Sequence, residues 1–562
     1  MKRVADYIAD FIYEQEVKDV FILSGGGSIY LDDGIACHPG LNEICVHNEA
    51  TAPMMAEAYA RLNNNLGVAY VTTGPGGTNA VAGLAEAWVD SAPVLVISGQ
   101  VEREYTTHNS KLKNFRTYGT QEINIIEVVT PLTKYAVMVN DPNKIRYHLE
   151  KAVYLAKSGR PGPVWLDIPL DVQSAIVDYE TLKGYKAPKE TRVNVKKYVK
   201  KILKMLNNSQ RPVIIAGQGI RISGAVKEFS ELVKILGIPV VSSRLGQDIL
   251  SFSHTSNMGH GGMKGMKCAE LAIYESDLII SLGSRLSLPF IQNNLSTFKT
   301  TELIMVDVDD AELKKDIIDV DLLIKADVKT IITGLLDKVG SDMLLSLGFN
   351  YCFFNWLHRC TQYKERYKIT PVRRDPIDLY YFMSRLDALS EEDDIFISDA
   401  GSSYYIAGQM LKFKEGQREI TSGAFASMGL TIPLAIGCAT ARRYSRILAV
   451  IGDGSLELNM QELITMSVYK QNINLFVINN GGYVSIRNAQ DALFNSRYIN
   501  SDQANCNETL NYKKLADTFN IPYFKIQKCN EVDDKISDII NKIGPALIEV
   551  VCDNKQKIIS PI

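Results

Sequence analysis

No two of the nine cysteines stand in a C-x-x-C spacing, which points to reduced, structural thiols and a cytoplasmic setting rather than a disulfide framework. No uninterrupted run of 18 apolar residues occurs, so the sequence offers no helix to span a membrane. Neither sign of charge is in excess. The 61 Lys and Arg against 64 Asp and Glu leave a net charge of −3, and with it no overall electrostatic reason to bind nucleic acid. The opening stretch, MKRVADYIADFIYEQEVKDVF, interrupts its apolar positions with acids and reads as an amphipathic helix, not a secretory leader.

What is present is ordinary globular material, 46% hydrophobic and 22% charged, in a chain of 562 residues that is too long for one core. Repeated strand–helix alternation predicts an α/β protein of doubly wound parallel sheets covered by helices on both faces. Three segments suggest themselves: residues 1–185, 190–345 and 365–562. The polar stretch at 179–201, YETLKGYKAPKETRVNVKKYVKK, has the composition of a linker, and its lysines read as a solvated face.

The most specific pattern lies at 446–488. RILAVI (446–451) and INLFVI (473–478) are short, apolar and rich in β-branched residues, as buried strands are. Between them LELNMQELITMSVYKQ (456–471) places Leu456, Met460, Leu463, Ile464 and Val468 at helical spacing. Strand, helix, strand makes a right-handed βαβ unit. If its strands are neighbours, Asp453 and Asn480 leave one sheet edge roughly 5 Å apart. A carboxylate, an amide oxygen and a freed carbonyl near Gly482 then form a hard-oxygen half-shell suited to Mg²⁺ completed by phosphate oxygens. Gly452 and Gly454 let a phosphate approach the backbone. A lone Gly-Asp-Gly is usually just a turn; the second asparagine pair at the end of the next strand argues otherwise.

The first segment holds EICVHNEATAPMMAEAYAR (43–61), which sets Glu49 at a helix start, where an acid ordinarily serves as a cap or dipole partner. GVAYVTTGPGGTNAVAGLAEA reads as strand, Gly-rich turn and helix.

Together these stretches resemble the thiamine diphosphate (ThDP) enzymes over nearly the whole chain, and most of all the acetolactate synthase branch. The resemblance implies that Asp453, Asn480 and the Gly482 carbonyl hold Mg²⁺, with Gly452, Gly454, Ser455 and Ser402 around the diphosphate. Glu49, twelve residues before Arg61, aligns with the family's catalytic acid, and Gln121 in YGTQEI with its active-site glutamine. SGAFASMGLTIPLAIG (422–437) looks like the block that supports the cofactor, with Met428 as the prop and Ala426 offering a carbonyl to the aminopyrimidine. In the implied mechanism Glu49 drives the pyrimidine to its imino form, which deprotonates the thiazolium. The ylid attacks a 2-keto acid, and the cofactor takes the electron pair as CO₂ leaves. Family architecture also implies a homodimer or dimer of dimers, with Glu49 and the metal site on different subunits.

Departures from that branch bear on the acceptor. The Tyr-Pro-Gly-Gly loop reads LSGGGS (23–28), only Glu49 survives from His-Glu-Gln-Gly, and the 101–120 loop is long. After the asparagines comes GGYVSIRNAQDALF, with Ile486 kept as an apolar contact over the reacting carbon and Ala489 where the family has Trp. These features resemble a subgroup found with surface-polysaccharide genes, such as the carboligase of yersiniose formation. An acceptor carrying a nucleotide diphosphate would suit Arg103, Lys111, Lys113, Arg116 and Arg487, which are otherwise ordinary surface residues. His47 and His108 read as satisfied or solvated. FAD stays open: IIAGQG and DLIISLGSRLS fit the general fold, but of the family's Arg-bearing run only Arg285 is left as a contact. Three readings stand side by side. The first is a carboligase using pyruvate; the second is a decarboxylase or lyase releasing an aldehyde, or a plain acetolactate synthase. The third, a non-catalytic paralogue, is disfavoured by the joint retention of Glu49, Asp453 and Asn480.

Overall fold

The structure is a computed structural model that describes residues 1–112, 114–189, 193–339, 350–502 and 510–561. Three six-stranded sheets carry it, each parallel throughout, as the apolar β-branched runs require when both faces are covered by helices. The N-terminal sheet runs Asn42–Cys45, Asp19–Ile22, Gly67–Val71, Val94–Gln100, Val164–Pro169, Tyr135–Met138. The C-terminal sheet runs Arg418–Thr421, Ile395–Ser398, Ile447–Gly452, Ile473–Asn479, Ala546–Val551, Tyr523–Ile526. Counted in chain order, both follow the same path: second, first, third, fourth, sixth, fifth. The central sheet follows the dinucleotide-binding order instead, with Pro212–Ala216 beside Leu278–Leu282 at its middle.

The two like domains share a core. Helix Thr51–Asn63 of the first packs along helix Thr431–Ala441 of the third, and each follows the second strand of its own sheet. Small residues allow the approach: a Cβ on Gly437 would lie 2.3 Å from the Met55 carbonyl oxygen. The loops that precede these helices are therefore equivalent in the fold, and they carry Glu49 and Met428 respectively. In the central region helix Asn350–Arg366 lies against the sheet, where Trp356 donates to the Pro212 carbonyl at 3.0 Å.

Two local expectations meet different outcomes. The opening stretch is an amphipathic helix, Val4–Glu14, with Val4, Ile8 and Ile12 fully buried. The helix expected over 456–471 is broken into Asp453–Leu456, a 3₁₀ turn at Met460–Glu462 and Leu463–Val468. Asn459 breaks it: its φ is −138°, and its side chain donates to the Gly429 carbonyl at 2.9 Å instead of facing solvent. Ile464 and Val468 consequently lie 37% and 64% exposed rather than in the core.

Cys37, Cys45, Cys268, Cys360, Cys438, Cys529 and Cys552 are all free thiols. Among the described residues no helix is long and apolar enough to cross a membrane.

Candidate active site

Ligands of open parallel sheets bind where the strand order reverses, outside the carboxyl ends of the strands. In the C-terminal sheet that point lies between Ile395–Ser398 and Ile447–Gly452, and both loops there are polar. Asp399, fully buried, accepts from Ser455 Oγ at 2.5 Å and from the Thr431 N–H at 3.3 Å. Ser455 Oγ in turn accepts from the Gly429 N–H at 2.7 Å. The Ser455 hydroxyl is thus committed to holding loops together, which leaves its backbone N–H to face a ligand.

Asp453 stands one residue beyond the Gly452–Ile478 register pair, so the βαβ geometry read from the sequence holds. Its Oδ2 accepts from the Asn480 and Gly482 N–H groups at 3.1 and 2.9 Å, and its Oδ1 from Gly454 at 2.9 Å. Burial raises its pKa, and those three N–H groups oppose the rise. Asn480 is buried beside it, whereas Asn479 turns the other way to donate to Glu549 at 2.8 Å. Gly481 and Gly482 have φ of 73° and 100°, which only glycine adopts without strain in this sequence of turns. A carboxylate 5% exposed and without an ion-pair partner among the described residues stands here with the Asn480 side chain and the Gly482 carbonyl, which accepts from the Val484 N–H at 2.9 Å; these oxygens are the ones that could hold a hard dication.

A second observation points to a ligand. The Ser402 hydroxyl, in the first turn of helix Gly401–Met410, is buried and has no hydrogen-bond partner among the described residues. Gly452 faces open space where a Cβ would stand, while Gly454 has Tyr483 2.3 Å from that position. Around this cradle Phe425, Met428 and Ile486 are 50%, 40% and 50% exposed. Ala426 between them holds φ at +53°, an uncommon state for a residue with a side chain.

In the N-terminal sheet the equivalent reversal point is closed. Cβ atoms on Gly25 and Gly27 would lie 2.5 Å from Thr72 and 1.8 Å from Thr73, so the triple glycine lets that loop fill its own crevice. Glu49 lies half-buried beside it, accepting from Asn79 Nδ2 at 3.0 Å within its own domain. Its neighbours instead reach the third domain. The His47 N–H donates to Glu462 at 2.9 Å, Asn48 Nδ2 to Asn459 at 3.3 Å and Thr51 Oγ1 to Glu462 at 2.8 Å. Gln121, exposed and at φ +61°, packs its backbone on Gly74 in the turn next to Asn79.

Three domain models cover the chain in order. They are described as the N-terminal TPP binding, central and C-terminal TPP binding domains of thiamine pyrophosphate enzymes, and they match residues 2–128, 199–335 and 399–550. An acetolactate synthase large subunit from Lactococcus lactis is 32% identical over 555 residues, covering 98% of this chain and 92% of that protein. Those from Cyanidium caldarium and Porphyra purpurea are each 30% identical, over 98% and 96% of this chain and 93% and 90% of theirs. The chain belongs to the thiamine diphosphate enzymes, on their acetolactate synthase-like branch. It is a ThDP-dependent carboligase, and the fold and branch expected from its motifs hold.

Several charges expected at this enzyme's acceptor site are used elsewhere. Arg487 is buried, donating to the carbonyls of Gly481, Asn480 and Asn554 at 2.8, 3.0 and 3.2 Å and to that of Ser501, so it clamps the asparagine–glycine turn and does not face solvent. Arg103 pairs with Asp171 at 2.6 Å. Lys111 and Arg116 are exposed, and Lys113 lies outside the described residues. His47 is tied to Thr465 at 3.0 Å, and His108 is exposed beside Asn124. Sequence reasoning missed Asp399, Glu462 and Glu122. The last is buried just beyond the 101–120 loop and pins it, accepting from Thr107 N and Oγ1 at 2.9 and 2.6 Å and from Tyr118 N at 3.0 Å. Its place next to Gln121 was the available signal.

Proposed function

We propose that this enzyme decarboxylates a 2-keto acid, pyruvate first among them, and transfers the resulting two-carbon unit to a bulky carbonyl acceptor such as a 4-keto sugar nucleotide. When bound, thiamine diphosphate supplies an acidic thiazolium carbon that adds to the keto acid and accepts the electron pair released with CO₂. In this reading Asp453, Asn480 and the Gly482 carbonyl hold Mg²⁺, and Ser402 and the N–H groups of Gly452, Gly454 and Ser455 receive the diphosphate. Met428 and Ile486 line the reacting end with apolar surface, which favours loss of a carboxylate's localised charge. Glu49 holds the proton of the pyrimidine ring, and Gln121 stands beside the same turn.

Glu49 bonds within its own domain while its neighbours grip Glu462 and Asn459, which supports a cradle completed by a second copy of the chain. The exposed apolar residues around the cradle, Leu458, Ile464, Val468 and Met428, are the surface such a copy would cover.

One observation favours a large acceptor. On helix Val484–Phe494 the residues Ile486, Ala489 and Leu493 form one exposed face, with no side chain beyond Cβ in the middle. The 101–120 loop has Tyr105, Phe115 and Tyr118, exposed and in ring contact at 6.0 and 5.3 Å, with Lys111 and Arg116 exposed in the same loop and in no ion pair among the described residues. Stacking faces and unpaired cations suit a ring-bearing anion. Incubating the ThDP- and Mg²⁺-loaded enzyme with pyruvate, with and without keto-sugar nucleotides, and reading products by mass spectrometry tests this. A branched sugar is the expected product; acetolactate or acetaldehyde alone, whatever acceptor is offered, would overturn it.

A cleft of about 1240 Å³ opens where the central domain's reversal point, at Gln218–Gly219 and Gly283–Arg285, meets Asp90–Ser91 of the first domain and Gly423–Ala424 of the third. Gly217 and Gly219 abut Gly283 with no room for a Cβ, and buried Asp307 ends the strand beside Leu278–Leu282. This cleft suits a dinucleotide, and FAD is the one to test, by flavin absorbance of the purified and reconstituted enzyme.

A further inference from the structure

Beneath the cofactor loop lies a group of charges that the chemistry above leaves unused. Helix Val81–Val89 contributes Glu86 and its C-terminal neighbour Asp90, and helix Thr51–Asn63 contributes Glu57 and Arg61; all four are buried. Arg61 donates to Glu57 at 2.8 Å and lies 3.7 Å from Asp90. Arg285, the Cys438 thiol and Arg418, whose guanidinium donates to the Arg61 carbonyl at 3.4 Å, stand near the cluster. Arg61 is the guanidinium bonded inside this group of three carboxyls, and among the described residues Glu57 Oε2, Glu86 Oε1 and Asp90 Oδ1 are buried without a hydrogen-bond partner. A buried carboxyl left so poorly compensated is costly, and its retention calls for a role.

The remaining oxygens point out of the cluster into the third domain. Asp90 Oδ2 accepts from the Gly423 N–H at 2.7 Å, and Glu86 Oε2 accepts from Ser427 Oγ at 2.9 Å. Between those two anchors runs the loop that carries Ala426 at φ +53°, and the Ala426 N–H is itself held by Ser422 Oγ at 2.7 Å. An alanine does not stay in the left-handed region unless its surroundings impose it. Two acids from adjacent turns of the N-terminal domain supply that constraint on the side away from the cofactor.

We infer that Glu86 is a positioning residue for the cofactor, acting across domains through Ser427 to fix the Ala426 carbonyl and the Met428 side chain. The inference rests on the cofactor placement proposed above. The loop is otherwise exposed at Ala424, Phe425, Ala426 and Met428, so Glu86 holds its far end as Asp90 holds Gly423 at its start. Burial raises the pKa of Glu86 and of Asp90, while hydroxyl and N–H groups of the cofactor loop oppose the rise.

The test is calorimetric affinity for ThDP in the presence of Mg²⁺, measured without keto acid, on Glu86→Ala, Ser427→Ala, their combination and Glu86→Gln. Each alanine variant should weaken ThDP binding by roughly three- to tenfold. The combination should be no worse than the weaker single variant, because both remove one bond. Glu86→Gln keeps an acceptor for Ser427 and should stay within about twofold of the parent. Ser427 is half-buried on a loop, so Ser427→Ala decides the matter even if Glu86→Ala does not fold. Unchanged ThDP affinity in Ser427→Ala, or a lowered Tm as the sole effect of Glu86→Ala, would overturn the inference. Since no acceptor enters the measurement, failure of the acceptor reading leaves it standing, whereas absence of ThDP binding by the parent enzyme would remove the cofactor placement itself.

Discussion

Asp453 and Asn480 are 27 residues apart in the chain and one hydrogen bond apart in space, the Asn480 N–H donating to the Asp453 carboxylate at 3.1 Å. That bond holds the carboxylate at the sheet edge with one oxygen, Oδ1, engaged only by its neighbour Gly454. Replacing Asp453 by Ala removes the cradle's charged oxygen donor, and Mg²⁺-dependent ThDP binding should be lost. The fold should persist, because the residue ends a strand and does not pack in the core. Calorimetry that returned the parent's ThDP affinity would contradict the metal role.

Glu49→Gln should bind ThDP nearly as the parent does, yet turn over slower by a factor on the order of 10² or more. The amide keeps the reach and the Asn79 contact but cannot exchange a proton with the pyrimidine. Steady-state rates beside ThDP titrations separate the two effects. Near-parental turnover would remove Glu49 from the mechanism.

Arg487 spans four backbone carbonyls around the asparagine–glycine turn. Arg487→Met leaves those acceptors unpaired and frees the turn that carries the Asn480 and Gly482 ligands. Apparent Mg²⁺ affinity should fall about 10- to 100-fold, as for other supports of metal ligands. A Mg²⁺ titration of ThDP-dependent activity reads this directly; a normal midpoint would show that the turn holds its shape unaided.

Ala489→Trp restores about 150–200 Å² of aromatic surface to the exposed face of helix Val484–Phe494. Transfer to a large keto-sugar should fall more than self-condensation of pyruvate. The ratio of the two kcat/KM values is the measure, since general damage cancels in it. A constant ratio would argue for a plain acetolactate synthase.

His260 is buried against Arg244, and burial followed by that positive charge lowers its pKa to about 3. The unfolded chain takes up its proton near the ordinary histidine value of about 6.5, while the folded chain does not. Stability from this group is therefore complete above about pH 6.5 and is lost as pH falls toward 3, at most about 4–5 kcal/mol. His260→Gln should flatten that acid limb, so that the Tm gap between parent and variant narrows from about pH 7 to about pH 5. Parallel Tm curves would mean that His260 titrates in the folded state.

The sequence by itself determined the strands, because short β-branched runs have no comfortable place except a sheet covered on both faces. It also determined the Asp453–Asn480 pairing, since a right-handed βαβ unit of this length leaves little freedom in where two strand ends emerge. Glu49, Ser402 and Met428 were legible through motif resemblance, although the missing partner of the Ser402 hydroxyl was not. Only the tertiary structure decided the rest. Helical periodicity over 456–471 was real, yet Asn459 gains more by bonding Gly429 on another loop of its own domain than by continuing a helix. Arg487 looked like a surface cation, but the carbonyls of Asn480 and Gly481 in the turn, with those of Ser501 and Asn554 from other segments, offered it a buried seat. The partnership of helices Thr51–Asn63 and Thr431–Ala441, and of Glu86 with Ser427, joins residues more than 300 positions apart. No local propensity encodes such contacts; they exist because two sheets of identical strand order bury their equivalent helices against each other.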